Sequence, residues 1–146
     1  MAEFEVTRAL EASPMQLYSI IANTSTWQEW FLMHDGFLEQ PPERMAVNST
    51  LVQNIRMLGM SHKLELTITA FKPPMQLTLC GRSEIGLVCE FTFGIERRPG
   101  GSQLTIAGNF TGAMLNAQLE QVIERDAHSQ LTNSMSKLAT LSQVEA

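Results

Sequence analysis

The chain has 146 residues, of which 44% are hydrophobic and 17% charged, and it carries a net charge of -5 at neutral pH. This composition excludes a disordered chain and suits one domain, 1–146, with a real core. The longest basic cluster is Arg97-Arg98, too little for the basic footprint of a nucleic-acid binder. No apolar run approaches the roughly 20 residues a membrane span needs.

The N-terminus reads as a strand in which Phe4, Val6 and Leu10 alternate with Glu5 and Thr7. It is expected to pair with the last strand or with a short strand near 36–40. No secretory leader is expected in front of this acidic strand. Ser13-Pro14-Met15-Gln16 then has the form of a capping box with Pro at the first helical position. It predicts a helix that turns Leu17, Tyr18, Ile20 and Ile21 inward. Thr26-Trp27-Gln28-Glu29 has the same form and predicts a short helix through Trp30, Phe31 and Met33, ended by His34-Asp35-Gly36. The stretch 39–48, with Pro41-Pro42, reads as a loop or irregular strand.

From 49 to 112 the chain reads as five strands joined by four tight turns. Leu58-Gly59-Met60-Ser61 suits a type II′ loop and predicts the pairs Met57–His62, Ile55–Leu64, Gln53–Leu66 and Leu51–Ile68. The turn at Lys72-Pro73-Pro74-Met75 predicts Ala70–Leu77 and Ile68–Leu79. Glu84-Ile85-Gly86 predicts Leu79–Phe91 and Leu77–Phe93, and Arg98-Pro99-Gly100-Gly101 predicts Ile95–Leu104 and Phe93–Ile106. These registers collect Leu51, Ile55, Met57, Leu64, Leu66, Ile68, Leu77, Leu79, Cys89, Phe91, Phe93, Ile95, Leu104, Ile106 and Phe110 on one face. The other face is polar and rich in Thr and Glu, with Asn54, Arg56 and Lys63 among them. That is an antiparallel sheet with one wet side.

The last element, 113–141, repeats apolar residues at helical spacing: Leu115, Leu119, Val122, Ile123, Ala127, Leu131, Met135, Leu138 and Leu141. At 1.5 Å per residue it is ~45 Å long, enough to cross the sheet. The fold class is therefore α+β, a helix-grip fold: a curved antiparallel sheet wrapped around a long C-terminal helix, with two short helices after the first strand. Such a grip is expected to enclose a cavity.

The order of elements, the Ala12-Ser13-Pro14 opening followed by Leu17-Tyr18-Ser19-Ile20-Ile21, and then Trp27-Gln28-Glu29-Trp30 resemble the START/birch-pollen-allergen (SRPBCC) superfamily. Within it, the chain is most similar to the polyketide cyclase/dehydrase and lipid-transport family, over about 3–141. The resemblance implies a cavity between sheet and helix for lipids, polyketides, quinones or related molecules, and in a minority of members cyclisation or dehydration. The chain departs from the superfamily in lacking the glycine-rich loop of the plant allergen branch and a dense inward cluster of Arg, Tyr and His.

Three polar residues fall on the apolar face. Arg8 is read either as a strand-end side chain reaching solvent or as an anchor for a ligand carboxylate or phenolate. His62, beside a tight turn, is either a rim residue or a proton shuttle at a pocket mouth. Gln53 is mid-strand, and a buried amide must find a partner, in protein, water or ligand. Arg8 and His62 are the candidate catalytic groups. Gly81 and Gly108 share the inward face, and their missing side chains are read as making room beside Cys89, Phe91 and Phe110. The nine methionines suit an adaptable apolar pocket. Trp27, Trp30, Phe31 and Met33 are read as a lid or as anchors of their helix, and Met114, Leu115, Leu119 and Ile123 as the helical wall. The expected ligand-binding set is Trp30, Met33, Gln53, Ile55, Met57, His62, Leu64, Leu66, Leu79, Cys89, Phe91, Phe93, Ile106, Phe110, Met114, Leu115, Leu119 and Ile123. His34 and His128 are expected at the surface, and Glu120, Glu124 and Asp126 on the solvated side of the last helix.

Cys80 faces outward and Cys89 inward, so no disulfide is expected and a cytoplasmic location follows. Neither metal-ligand spacing nor a G-x-S-x-G nucleophile motif is present, and no cofactor is expected. The primary reading is a binding or transport protein for a small hydrophobic or aromatic ligand. The alternative is a polyketide cyclase/dehydratase-type enzyme using the same cavity, and a third is a protein-interaction module.

Overall fold

The computed structural model describes residues 1–145. One antiparallel sheet of seven strands takes the order β1-β7-β6-β5-β4-β3-β2. The strands are β1 (Ala2–Leu10), β2 (His34–Phe37), β3 (Thr50–Met57), β4 (Met60–Lys72), β5 (Gln76–Ser83), β6 (Val88–Arg98) and β7 (Gly101–Thr111). Helices α1 (Pro14–Ile21) and α2 (Trp27–Trp30) follow β1, and α3 (Ala117–Glu145) closes the chain. The sheet curls into a half-barrel around α3. Of the two partners open to the first strand, β1 takes the last, pairing Phe4 with Gly108 and Val6 with Ile106. The short strand near 36–40 is β2, at the opposite edge against β3.

Local chemistry explains most of the element ends. Ser13 Oγ accepts from Gln16 N at 3.2 Å and Gln16 Oε1 accepts from Ser13 N at 3.0 Å, the reciprocal pair of a capping box. Thr26 does not repeat it. A 3-10 turn, Thr24–Thr26, capped by Asn23, runs straight into α2, so Thr26 is already helical and its side chain makes no cap bond. Its hydroxyl instead lies 2.8 Å from the Ile20 carbonyl and accepts from Trp30 Nε1 at 3.0 Å. Helix α2 ends at Trp30, earlier than expected, and β2 begins at His34. Helix α3 begins at Ala117 rather than 113 because Asn116 caps it, its Oδ1 accepting from Leu119 N at 2.8 Å.

The last two hairpins keep the expected registers, with Leu79 opposite Phe91, Leu77 opposite Phe93, Phe93 opposite Ile106 and Ile95 opposite Leu104. The first is displaced by two residues. Leu58 and Gly59 both have positive φ, +55° and +75°, as a type I′ loop requires. Met57 therefore pairs with Met60, Ile55 with His62, Gln53 with Leu64 and Leu51 with Leu66. A tertiary bond holds this tighter turn: Leu58 N donates to Asp126 Oδ2 on α3 at 2.8 Å. A slip of two returns every side chain to its original face. In the second hairpin Ile68 pairs with Leu79 as expected, but an irregularity between Ile68 and Ala70 puts Ala70 opposite Thr78 and Phe71 opposite Leu77.

The concave face is the core. All fifteen apolar residues expected on it are buried, together with Ile123, Ala127, Leu131, Met135 and Leu138 from α3. Val122 lies off that stripe and is 44% exposed.

Candidate functional site

The core between the sheet and α3 is built largely from rings. Phe91 lies 5.4 Å from Phe4 and 5.9 Å from Phe110. Phe31 bridges Phe91 and Phe93, both at 6.1 Å, and stacks on Trp30 at 5.3 Å with a 15° interplanar angle. From Phe31 the rings continue outward through Trp27 at 5.5 Å to Phe37 and His34. Trp27, Trp30, Phe31 and Met33 are all buried. Each indole is also tied down, Trp27 Nε1 donating to the Ile21 carbonyl at 2.9 Å. They anchor their segment to the core.

The residues read from the sequence as ligand-binding distribute as follows. Trp30, Met33, Gln53, Ile55, Met57, Leu64, Leu66, Leu79, Cys89, Phe91, Phe93, Ile106, Phe110 and Ile123 are buried together. Leu115 and Leu119 pack half-buried against them, while Met114 is 50% exposed. His62 is half-buried and opposite Ile55, not Met57. Arg8 is turned to α3, where its Nη1 donates to Ser136 Oγ at 2.9 Å. The two inward glycines do not leave room. A Cβ on Gly81 would stand 2.5 Å from Leu66 Cδ2, and one on Gly108 2.7 Å from Phe4 Cζ and 2.0 Å from the Glu90 carbonyl oxygen. Neighbouring side chains and backbone fill the place of the missing ones, so these glycines mark close approach.

One polar pair stands out against this apolar wall. Gln53 is 1% exposed, and its Oε1 lies 2.7 Å from His34 Nδ1. A carboxamide oxygen only accepts, so Nδ1 carries the proton and donates. Burial holds the His34 imidazole below its ordinary range, against the opposing effects of the Gln53 bond and the Asp35 charge. The neutral ring therefore keeps Nε2 as an acceptor. His34 makes a tilted ring contact with Phe37, 4.5 Å between centroids at 54°, and an edge contact with Trp27. Expected at the surface, it is instead half-buried, and a lone polar residue on a four-residue edge strand gave no periodic signal of this. Its neighbour Asp35 bonds Ser61 Oγ and pairs with Arg56 at 3.1 Å, which holds its carboxyl below the usual range.

Other buried polar groups are already satisfied. Ser134 Oγ accepts from Leu32 N at 2.9 Å and donates to the Gln130 carbonyl. The Tyr18 hydroxyl donates to the Gln76 carbonyl at 2.9 Å, and burial pushes its pKa up to about 12. Burial likewise pushes the Cys89 thiol up to about 12, with the nearby Cys80 adding to it. Both cysteines are free. Among the described residues no group of three or more His, Cys, Asp or Glu is placed to hold a metal ion, and no helix is long and apolar enough to cross a membrane.

Residues 1–143 match the family model described as polyketide cyclase / dehydrase and lipid transport. The chain belongs to this family. A relative in Mycobacterium tuberculosis, the uncharacterized protein Rv1546, is 23% identical over 141 residues, covering 97% of this chain and 99% of its own. The family fold is shared with solved structures at low identity. TTHA0849 from Thermus thermophilus superposes with a TM-score of 0.80 at 9% identity, covering 99% of both chains. The Zhui aromatase/cyclase from a Streptomyces species superposes with a TM-score of 0.79 at 8% identity, covering 97% of this family member and 93% of the neighbour.

Proposed function

We propose that this family member binds or carries a small hydrophobic or aromatic molecule, of lipid, quinone or polyketide-like character, between the concave face and α3. The observation that carries the reading is the ring-lined apolar face whose mid-strand polar residue is the single buried amide of Gln53. Apolar burial at about 25 cal/mol per Å² supplies affinity, and a few placed polar groups orient the ligand. Neighbours already stand where side chains at Gly81 and Gly108 would be, so a ligand next to these positions has to displace Leu66 or Phe4. Access is expected at the end of the sheet that carries the β3–β4 and β5–β6 turns and from which the chain leaves β7 for α3. Leu58, Met60, Ile85 and Met114 are exposed at that end. A small-molecule partner rather than a nucleic acid fits the net charge of -5, and two free thiols fit a reducing cytoplasm.

The test is to purify the protein from its native host without denaturation and analyse released small molecules by mass spectrometry. A stoichiometric apolar compound supports the reading. An empty protein that also binds no apolar fluorescent probe overturns it.

The second reading is cyclase/dehydratase chemistry. It is favoured by the half-buried His62, whose ring has no hydrogen-bond partner among the described residues and which shares a cross-strand row with Ile55 and His34. A general base is usually oriented by a third group, and His62 has none, which ranks this reading second. It requires that His62→Ala abolish turnover and spare binding.

A further inference from the structure

The outward end of the ring chain opens on a groove of ≈ 520 Å³ between the 3-10 turn and the Pro41-Pro42 loop. This is within the ~300–1,000 Å³ range of small-molecule pockets. Thr24, Ser25 and Gln28 form one wall, Pro41 and Pro42 the other, and Phe37 and His34 lie between them. Trp27, fully buried, stands between the groove and the interior rings. His34 is a constructed element of the groove. Its Nδ1 is fixed by a buried amide, and its ring is held by Phe37 and Trp27. No buried side-chain nitrogen or oxygen among the described residues lacks a partner. His34 Nε2 has no protein partner among the described residues, so it reaches solvent, and His34 is one of the residues that line the groove.

We propose that this groove is a second ligand site, separate from the space under the sheet, and that it takes a small neutral aromatic bearing a hydroxyl. The aromatic ring packs on Phe37 and the proline wall, and the hydroxyl donates to His34 Nε2. The charges specify a neutral donor rather than an acid. A carboxylate has no proton for Nε2, Glu43 lines the groove, and no Lys or Arg lines it.

The experiment is an amide NMR titration of the full chain with 2-naphthol, 2-methylnaphthalene and 2-naphthoate. Expected are shifts at Thr24, Ser25 and Gly36 with 2-naphthol, together with a change in the His34 Nε2 nitrogen resonance. Binding of 2-methylnaphthalene and 2-naphthoate at these residues is expected to be at least tenfold weaker. In a folded His34→Phe protein, which keeps a ring and loses the acceptor, 2-naphthol is expected to lose that advantage. Equal affinity for 2-naphthol and 2-methylnaphthalene, or no response at these residues in the wild type, overturns the proposal. Shifts confined to Phe91, Ile106 and Phe110 also overturn it, while supporting the interior site. Because the decisive readings are made on wild-type protein, they hold even if the variant fails to fold.

Discussion

Single residues decide how tightly the sheet closes. Gly108 and Gly94 both interrupt β-strands, but only the first is boxed in: a Cβ on Gly94 meets nothing nearer than the Thr105 carbonyl at 4.0 Å. Gly94→Ala is expected to be neutral or to stabilise by about 0.4–1 kcal/mol by restricting the unfolded chain. Gly108→Ala, overpacked against Glu90 backbone, is expected to cost about 1–3 kcal/mol. Urea unfolding of the two variants checks the contrast. His34 sets a pH dependence. Its imidazole ordinarily titrates near 6.5 and lies lower in the folded state. Between those values the unfolded chain holds a proton the folded chain refuses, so the contribution is whole above 6.5 and declines as pH falls toward the folded value. The urea midpoint is expected to drop between pH 7.5 and 5.5, and to drop less in His34→Phe. Neither feature was legible in advance. A glycine in a strand pattern states that a side chain is missing, not whether a neighbour takes its place, and only the third dimension brings Leu66 and Phe4 onto Gly81 and Gly108.

At the scale of elements, the sheet's faces were legible, while the register of the first hairpin and the end of the second, where Ala70 meets Thr78, were not. Alternation is a period-two signal, so it sorts Ile55, Leu64 and Leu66 to the core in either pairing of the first hairpin. What separates the two pairings is turn geometry and the reach of Asp126 from a helix 68 residues away in sequence, which no local pattern contains. The observed loop places Leu58 at a φ of +55°, where a side chain other than Gly, Asn or Asp is strained by about 1–2 kcal/mol. Leu58→Asn gives the Asn-Gly pair that type I′ loops favour. It is expected to raise stability by about 1 kcal/mol, measured as a shift in urea midpoint. Capping was legible where the chain is autonomous, at Ser13 and Gln16. It was misread at Thr26, where the preceding 3-10 turn had already begun the helix.

For the whole molecule, the helix-grip architecture follows from agreement among separate local signals: alternating strands, turn residues and one long apolar stripe. The candidate site is a subtler property, because an apolar face reads the same whether it lines a void or a packed core. The ring chain has an optical consequence. The chain's two tryptophans both lie in it and are wholly buried, so native emission should be blue-shifted and poorly quenched by acrylamide, turning red on unfolding. Trp27 touches the rings of the outer groove and Trp30 those under the sheet. With Trp30→Phe the remaining indole should respond to ligands in the groove, and with Trp27→Phe to ligands in the interior. The two proposed sites would thus report mainly through different indoles, with Phe31, in contact with both, as their common neighbour.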